Sequence, residues 1–216
     1  MKDKIIFIFK TIKKYGISYI FRKPFEILYF KIKKVDFSDE IVKKEHKTGK
    51  DKKYSSYSHH TSSNFLTFIL NELQVLEPDI TKGIFVDYGC GKGITLVTAK
   101  KFGFRKVIGI ESVVAIYQIC LNNISLLINN DKNNIIVLNK NVINFIPTND
   151  ISVIFFYNPF DDATMNICVK NMLKVKYDKT LYIIYVNPKD RLIFENHNCI
   201  TILTNDMYDI YKYKKI

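Results

Sequence analysis

Residues Phe85 to Gly93 read FVDYGCGKG, an acid near the end of a β-branched, apolar run followed by three glycines at alternate positions. Gly89 and Gly91 free the backbone for positive φ and for close approach of a ligand, and Gly93 lets a helix begin close to its strand. A bare turn of this kind serves one of two ligand classes. A dinucleotide wants G-x-G-x-x-G and rests its pyrophosphate on the helix N-terminus. Here the spacing is G-x-G-x-G, and Asp87 stands two residues before the first glycine, where its charge repels a pyrophosphate and attracts an ammonium group. Glu111 ends the next apolar run, KVIGIE, 24 residues after Asp87, where a carboxylate can accept both hydroxyls of a ribose. Together the two acids ask for a ligand with an ammonium group, a ribose and no phosphate. S-adenosylmethionine (AdoMet) is such a ligand.

At these residues the sequence resembles class I AdoMet-dependent methyltransferases, whose first motif is a strand followed by D/E-x-G-x-G-x-G. The resemblance implies main-chain contacts from Gly89, Cys90 and Gly91 to the amino-acid part of AdoMet, with Glu111 on the ribose and S-adenosylhomocysteine as product. It also implies a residue beside the adenine after the third strand, and in LNKNVINF the matching position is Asn141. Further on, FFYNPF is similar to a shortened N-P-P-[YF] motif of methyltransferases that act on the amino groups of adenine or glutamine. That similarity implies that Asn158 offers its carbonyl to an acceptor N–H, with Pro159 shaping the turn. Phe160, standing where the second proline is absent, either stacks on a flat acceptor or packs in the core.

From about Tyr57 to Lys212 the chain is similar to a set of bacterial methyltransferases of undefined acceptor. Their blocks FVDxGSGKGR, RVIGVE, LYLFNPF and YVVYVNP match FVDYGCGKGI, KVIGIE, IFFYNPF and YIIYVNP in the same order. The chain departs from them just before the domain, where YSHHTSS replaces a Y-x-P-T-P-like stretch. In related folds that approach lies over the cofactor, which puts Tyr57, His60 and Thr61 at the site. His60 is a candidate proton acceptor, its imidazole titrating near neutral pH. The alternative for His59 and His60 is a solvated polar loop. Asp161 and Asp162 either face a cationic acceptor or supply negative charge to the start of the following helix. Asn187 repeats the Asn-Pro arrangement on the fifth strand, as part of the acceptor pocket or as a strand-ending turn.

The elements that position these residues follow from periodicity. Apolar runs GIFVDYG, KVIGIES, NIIVLNK, ISVIFFYNPF and TLYIIYVNP alternate with helical stretches GITLVTAKKFG (closed by Gly103), VVAIYQICLNNISLLINN and about Ala163 to Lys174. The tail CITILTNDMYDIYKYK alternates as an antiparallel hairpin around Asn205 and Asp206. Strands apolar on both faces and separated by helices predict a Rossmann-like α/β three-layer sandwich. Its sheet is mostly parallel and seven-stranded, with the antiparallel hairpin at the C-terminal end. Before it, TSSNFLTFILNELQVL predicts a helix capped by Thr61 or Ser62, with Phe65, Leu66, Phe68, Ile69 and Leu73 on its buried stripe. The domains are thus 57–216, the methyltransferase-like core, and 1–56, a basic helical extension and linker. Within the extension Gly16 and Pro24 set off short helical pieces, Pro24 opening one that reaches to about Lys33; these pieces cover the core, form a dimer contact or lie on an anionic membrane surface, and residues 35–56 form a linker or mobile loop.

At 216 residues and 47% apolar the chain builds one core with an appendage. The net charge of +12 is concentrated at one end: residues 1–53 hold 16 Lys/Arg against 7 Asp/Glu, a local +9, leaving about +3 for the remainder. An AT-rich coding bias explains such a surplus without a partner; a polyanion or an anionic membrane surface explains it with one. Cys90, Cys120, Cys168 and Cys199 have neither the pairing nor the histidine spacing of a metal or disulfide framework, and read as reduced cytoplasmic thiols. No apolar stretch has the roughly 20 residues needed to span a bilayer, so any membrane contact is peripheral, at the inner face through residues 1–34. The expected activity is methyl transfer to an amine or hydroxyl of a small metabolite, sugar or surface-polymer precursor, with nitrogen favoured. The alternatives are a nucleic-acid or protein N-methyltransferase using the basic extension, and a non-catalytic AdoMet-binding partner subunit.

Overall fold

Apolar residues on both faces force the first five strands between two helical layers. In the computed structural model β1 (Ile84–Tyr88), β2 (Lys106–Glu111), β3 (Ile135–Asn139), β4 (Ile151–Tyr157) and β5 (Leu181–Val186) run parallel. The hairpin of β6 (Ile200–Thr204) and β7 (Tyr208–Tyr213) completes a seven-stranded sheet in the order β3-β2-β1-β4-β5-β7-β6, in which β7 is antiparallel to both neighbours. Residues 25, 28–37, 63–128, 132–157 and 160–213 are described by the structure. The chain divides into two compact units, Met1–Asp36 and Phe37–Ile216.

Strand alternation sorts the side chains of the second unit into two different layers. On one face lie α1 (Ser63–Leu76), α2 (Ile94–Phe102) and α3 (Val114–Leu127); Phe85 and Asp87 of β1 point to this side, toward Phe104 and Thr95. On the other, Ile84, Val86 and Tyr88 join an apolar cluster with Met165, Cys168 and Met172 of α4 (Asp162–Leu173) and Ile193 and Phe194 of α5 (Leu192–Glu195). The buried faces of α1 and the sheet are pinned by hydroxyls: Tyr208 donates to Glu72, and Tyr182 to Glu77 at 3.2 Å.

Element by element the expected pattern is present. Gly103 closes α2 at φ 117°, its N–H donating to the carbonyls of Ala99 and Lys100, and the side chain of Asn205 accepts from Met207 N at 2.8 Å and Tyr208 N at 3.1 Å in the hairpin turn. One position differs. Phe68 is 51% exposed, and Leu70 takes its place beside Phe65, Leu66, Ile69 and Leu73. The reason is angular: at about 100° per residue Leu70 falls roughly 40° beyond the arc set by the other four, on the Leu66 side, whereas Phe68 falls roughly 60° beyond it on the opposite side. The caps expected for this helix, Thr61 and Ser62, lie outside the described residues.

The hairpin is tied back to the loop after β5 by a polar cluster. Asp209, 1% exposed on β7, accepts from Arg191 and, at 2.6 Å, from Thr204, while Arg191 also donates to Asn205 O at 2.7 Å.

In the first unit residues 28–32 are helical, and the helix ends as expected near Lys33. Val35 N donates to Phe30 O at 2.9 Å and Lys34 N to Lys31 O at 3.1 Å, with Lys34 at φ 57°, the hydrogen-bond pattern of a Schellman motif. The expected helical pieces before residue 25, and the linker from residue 38 to 56, lie outside the described residues. No described helix is long and apolar enough to cross a membrane.

Candidate cofactor site

The chain runs β1, β2, β3 outward in one direction and returns to the other side of β1 with β4, so the order reverses between β1 and β4. Ligands of open α/β sheets bind beyond the carboxyl ends of the strands at such a reversal. There the register gathers Asp87 opposite Gly109 of β2 and Phe155 of β4, and Glu111 opposite Asn139 of β3.

The turn after β1 has the conformation its glycines predict. Gly89, Gly91 and Gly93 have φ of 82°, 53° and 88°, all left-handed. A Cβ on Gly93 would lie 2.5 Å from Cys120 Sγ, so α2 sits against α3 only because that residue is glycine. At Gly91 a Cβ would meet nothing within 4 Å, which leaves this side of the turn open to a ligand. The amides are directed inward: Gly89 N and Cys90 N donate to Ile110 O at 2.9 and 3.0 Å, and Gly91 N donates to Glu111 Oε2 at 3.1 Å. With those three amides engaged, the turn lacks the N–H donors that a dinucleotide loop offers a phosphate, while the Gly91 Cα stays bare for close approach.

Both acids are buried. Asp87 is 3% exposed and accepts a hydrogen bond from Thr95 in the first turn of α2, so a carboxylate occupies the helix end where a pyrophosphate would otherwise rest. Burial, opposed by the Thr95 hydroxyl and reinforced by the negative charge of Glu111, raises the Asp87 carboxyl to about 7. Glu111 is 8% exposed and accepts from Gly91 N and, at 2.8 Å, from Val113 N. Its carbonyl is held by Lys140 N at 3.1 Å and by Asn139 Nδ2 at 2.9 Å, which fixes the β2 end to β3.

Cys90 contributes backbone to the turn, and its thiol is not poised for reaction. The hydrogen bond with Cys120, together with burial, pushes that thiol well above its ordinary range, and all four cysteines are buried and free. Asn141 stands two residues beyond β3, exposed, with Oδ1 accepting from Ile143 N at 3.1 Å as the cap of the short helix Val142–Asn144. Phe160 is half-buried and packs against the α4-side cluster. Asp161 caps α4, accepting from Thr164 N at 2.8 Å, and Asp162 places a charge in its first turn. Asn187 is exposed at φ 51° after β5, its N–H donating to Met207 O at 2.7 Å. Tyr57, His60, Asn158 and Pro159, with His59 and Thr61, lie outside the described residues.

Three buried polar residues had no sequence signal as site residues. Thr95 sits in a run, GITLVTAK, that reads as helix interior, yet its hydroxyl holds Asp87. Lys92, inside the glycine turn, is 2% exposed, and its carbonyl accepts from the fully buried Asn123 amide at 3.0 Å. Among the described residues no cluster of His, Cys, Asp or Glu is arranged to hold a metal ion.

No protein-family model matches the sequence, and no curated protein sequence matches it. Solved structures do. A candidate methylase of Haemophilus influenzae superposes with TM-score 0.55 at 17% identity, covering 69% of this chain and 89% of its own. A candidate S-adenosyl-L-methionine-dependent methyltransferase of Methanococcus maripaludis gives 0.55 at 14%, covering 75% and 97%. The two chains share a fold with this one. Magnesium protoporphyrin IX methyltransferase of Synechocystis, solved with bound SAM, gives 0.52 at 9% identity over 82% of this chain and 97% of that one. At such identities the likeness is one of architecture, the seven-stranded sheet with its antiparallel hairpin.

Proposed function

We propose that this protein is an AdoMet-dependent methyltransferase. The observation that carries the reading is the composition of the site: two buried carboxylates flank a glycine turn whose amides are bonded inward, at the reversal point of a sheet shared with methyltransferases. These groups fit AdoMet. Asp87 supplies negative charge near the amino-acid part, the open backbone at Gly91 admits close approach, and the Glu111 carboxylate is the acceptor for the ribose hydroxyls. Asn141 is the candidate beside the adenine, although its Oδ1 also accepts from Ile143 N as the cap of the short helix after β3.

The cofactor supplies a methyl group already activated by its sulfonium. The protein's part is to hold a nucleophile in line and to receive its proton. Asn158 and Pro159, after β4, are the residues for the acceptor: the Asn158 carbonyl orients an amine N–H, which favours nitrogen over oxygen. His60 is the candidate proton acceptor, and Tyr57, Phe160 and Asn187 are candidates for the pocket wall. The acceptor class is a small metabolite, sugar or surface-polymer precursor. That choice rests on the sequence blocks quoted above, and on the distribution of charge, of which only about +3 belongs to the residues after 53.

Isothermal titration of the full chain with AdoMet and, separately, with NAD tests the reading. Saturable AdoMet binding with no heat from NAD supports it. Binding of NAD, or of neither, overturns the assignment of the turn.

A further inference from the structure

The helix before the methyltransferase-like unit carries its apolar residues on the outside. Phe25, Leu28, Tyr29 and Ile32 are 75%, 55%, 41% and 70% exposed. Their spacing is i, i+3, i+4, i+7, which places all four in one row along a helix. Single exposed apolar side chains are ordinary on a protein surface; an aligned row of four large ones is the mark of a contact surface.

Lysines crowd the C-terminal end of this row, while Glu26 near its start and Asp36 beyond its end are the acids of the stretch. Lys31, Lys33 and Lys34 are all exposed, and the Schellman end at Lys34 gathers them within the last turn and just past it. There they complement the negative end of the helix dipole and add to the local +9 of residues 1–53. Long lysine stems lie along apolar surface while their ammonium groups reach outward.

We propose that this helix docks on an anionic lipid surface, lying in the interface with Phe25, Leu28, Tyr29 and Ile32 among the acyl chains and Lys31, Lys33 and Lys34 on the phosphate headgroups. The charge decides among the possible occupants. A second copy of the chain would bring two such +9 segments together, whereas an anionic surface neutralises them. A nucleic acid satisfies the lysines but has no counterpart for the aliphatic side chains of Leu28 and Ile32. A lipid interface satisfies both halves of the helix at once. The inference is independent of the methyl-transfer reading, because none of its residues belongs to the proposed cofactor site.

The test is co-sedimentation of the full chain with vesicles, either of phosphatidylcholine alone or of phosphatidylcholine with phosphatidylglycerol. The protein should pellet with the phosphatidylglycerol vesicles and stay in solution with the neutral ones. Two variants separate the contributions. Lys31→Gln/Lys33→Gln/Lys34→Gln should lower partitioning by about a hundredfold, given the usual gain per lysine near an anionic surface. Phe25→Ser/Ile32→Ser, at two exposed positions, should abolish it with the thermal melt unchanged. No sedimentation, or equal sedimentation with neutral vesicles, overturns the proposal. So does a vesicle affinity that survives loss of the apolar row, or light scattering that shows a dimer dissociated by the Phe25→Ser/Ile32→Ser change. Competition by duplex DNA that persists in the serine variant would assign the lysines to a polyanion instead.

Discussion

Both faces of the sheet bury apolar side chains, Phe85, Phe104 and Phe155 among them on the α2 side, but they differ in the polar groups buried beside the strand ends. The α4 side is an apolar cluster in which Phe156 stacks against Tyr88 at 4.9 Å and Phe194 at 5.9 Å between ring centres. The α2 side, around the glycine turn, buries Asp87, Lys92, Thr95, Thr98, Glu111 and Asn123. Burying that many polar groups costs free energy unless each finds a partner. The contrast teaches where the protein keeps its stability and where it keeps its chemistry. The apolar side chains of both layers hold the sheet together, and the α2 layer also keeps two carboxylates dry beside an open stretch of backbone.

The sharpest way to break this division is at the apolar face. Phe156→Ala should cost about 3–5 kcal/mol of stability in urea melts, while the folded fraction keeps its AdoMet affinity. Loss of affinity on refolded protein would mean that the two faces are not separable. Next in size is Asp87→Asn, which should weaken AdoMet binding about a hundredfold by calorimetry, with the melting temperature unchanged or raised. The rise is expected because removing a buried charge relieves its desolvation.

A pH series sharpens the same point. Burial raises the Asp87 carboxyl from its ordinary 3.8 to about 7. Between those two values the unfolded chain has released this proton while the folded chain retains it. The group therefore subtracts stability as pH rises through that window. Binding of a cationic ligand runs the other way, since it prefers the ionised carboxylate. AdoMet affinity should rise with pH and level off above about 7, falling about tenfold for each unit below it. Thr95→Val removes a hydrogen bond that opposes the shift, and should move the midpoint upward. A flat profile from pH about 5.5 to 8 would remove Asp87 from the ligand's neighbourhood.

The smallest expected effect lies within the turn. Gly91→Ala meets no atom and pays only the left-handed backbone cost, about 1 kcal/mol. Gly93→Ala adds the Cys120 sulfur at 2.5 Å and should be the more damaging of the two in thermal melts.

Much of the fold was legible because it depends on short-range pattern. Apolar runs covered on both faces gave the strands, and Gly103 and Asn205 marked a helix end and a hairpin turn through local backbone chemistry. Asp87 and Glu111 were legible for a related reason: each stands at a strand end, and strand ends on one edge of a parallel sheet meet. Thr95 and Lys92 were not. Their roles come from how α2 and α3 close over the turn, a contact between residues distant in sequence, and a lysine by itself predicts exposure. Phe68 was misplaced because a large aromatic residue draws attention that helical angle does not support. The acceptor candidates were the least legible: Tyr57, His60, Asn158 and Pro159 lie outside the described residues, Phe160 packs against the core, and Asn187 stands just past a strand end.

The placement of β7 between β5 and β6 has a bearing on biosynthesis. As the chain leaves the ribosome, β6 appears before β7, the strand it pairs with among the described residues, and through that pairing it joins the sheet once residues 208–213 have followed. Until then the edge of β5 is open, and the Arg191–Asp209 pair that ties the hairpin to the rest is unmade. A nascent chain halted before β7 would expose an unpaired strand edge, the feature that chaperones and aggregation nuclei both recognise.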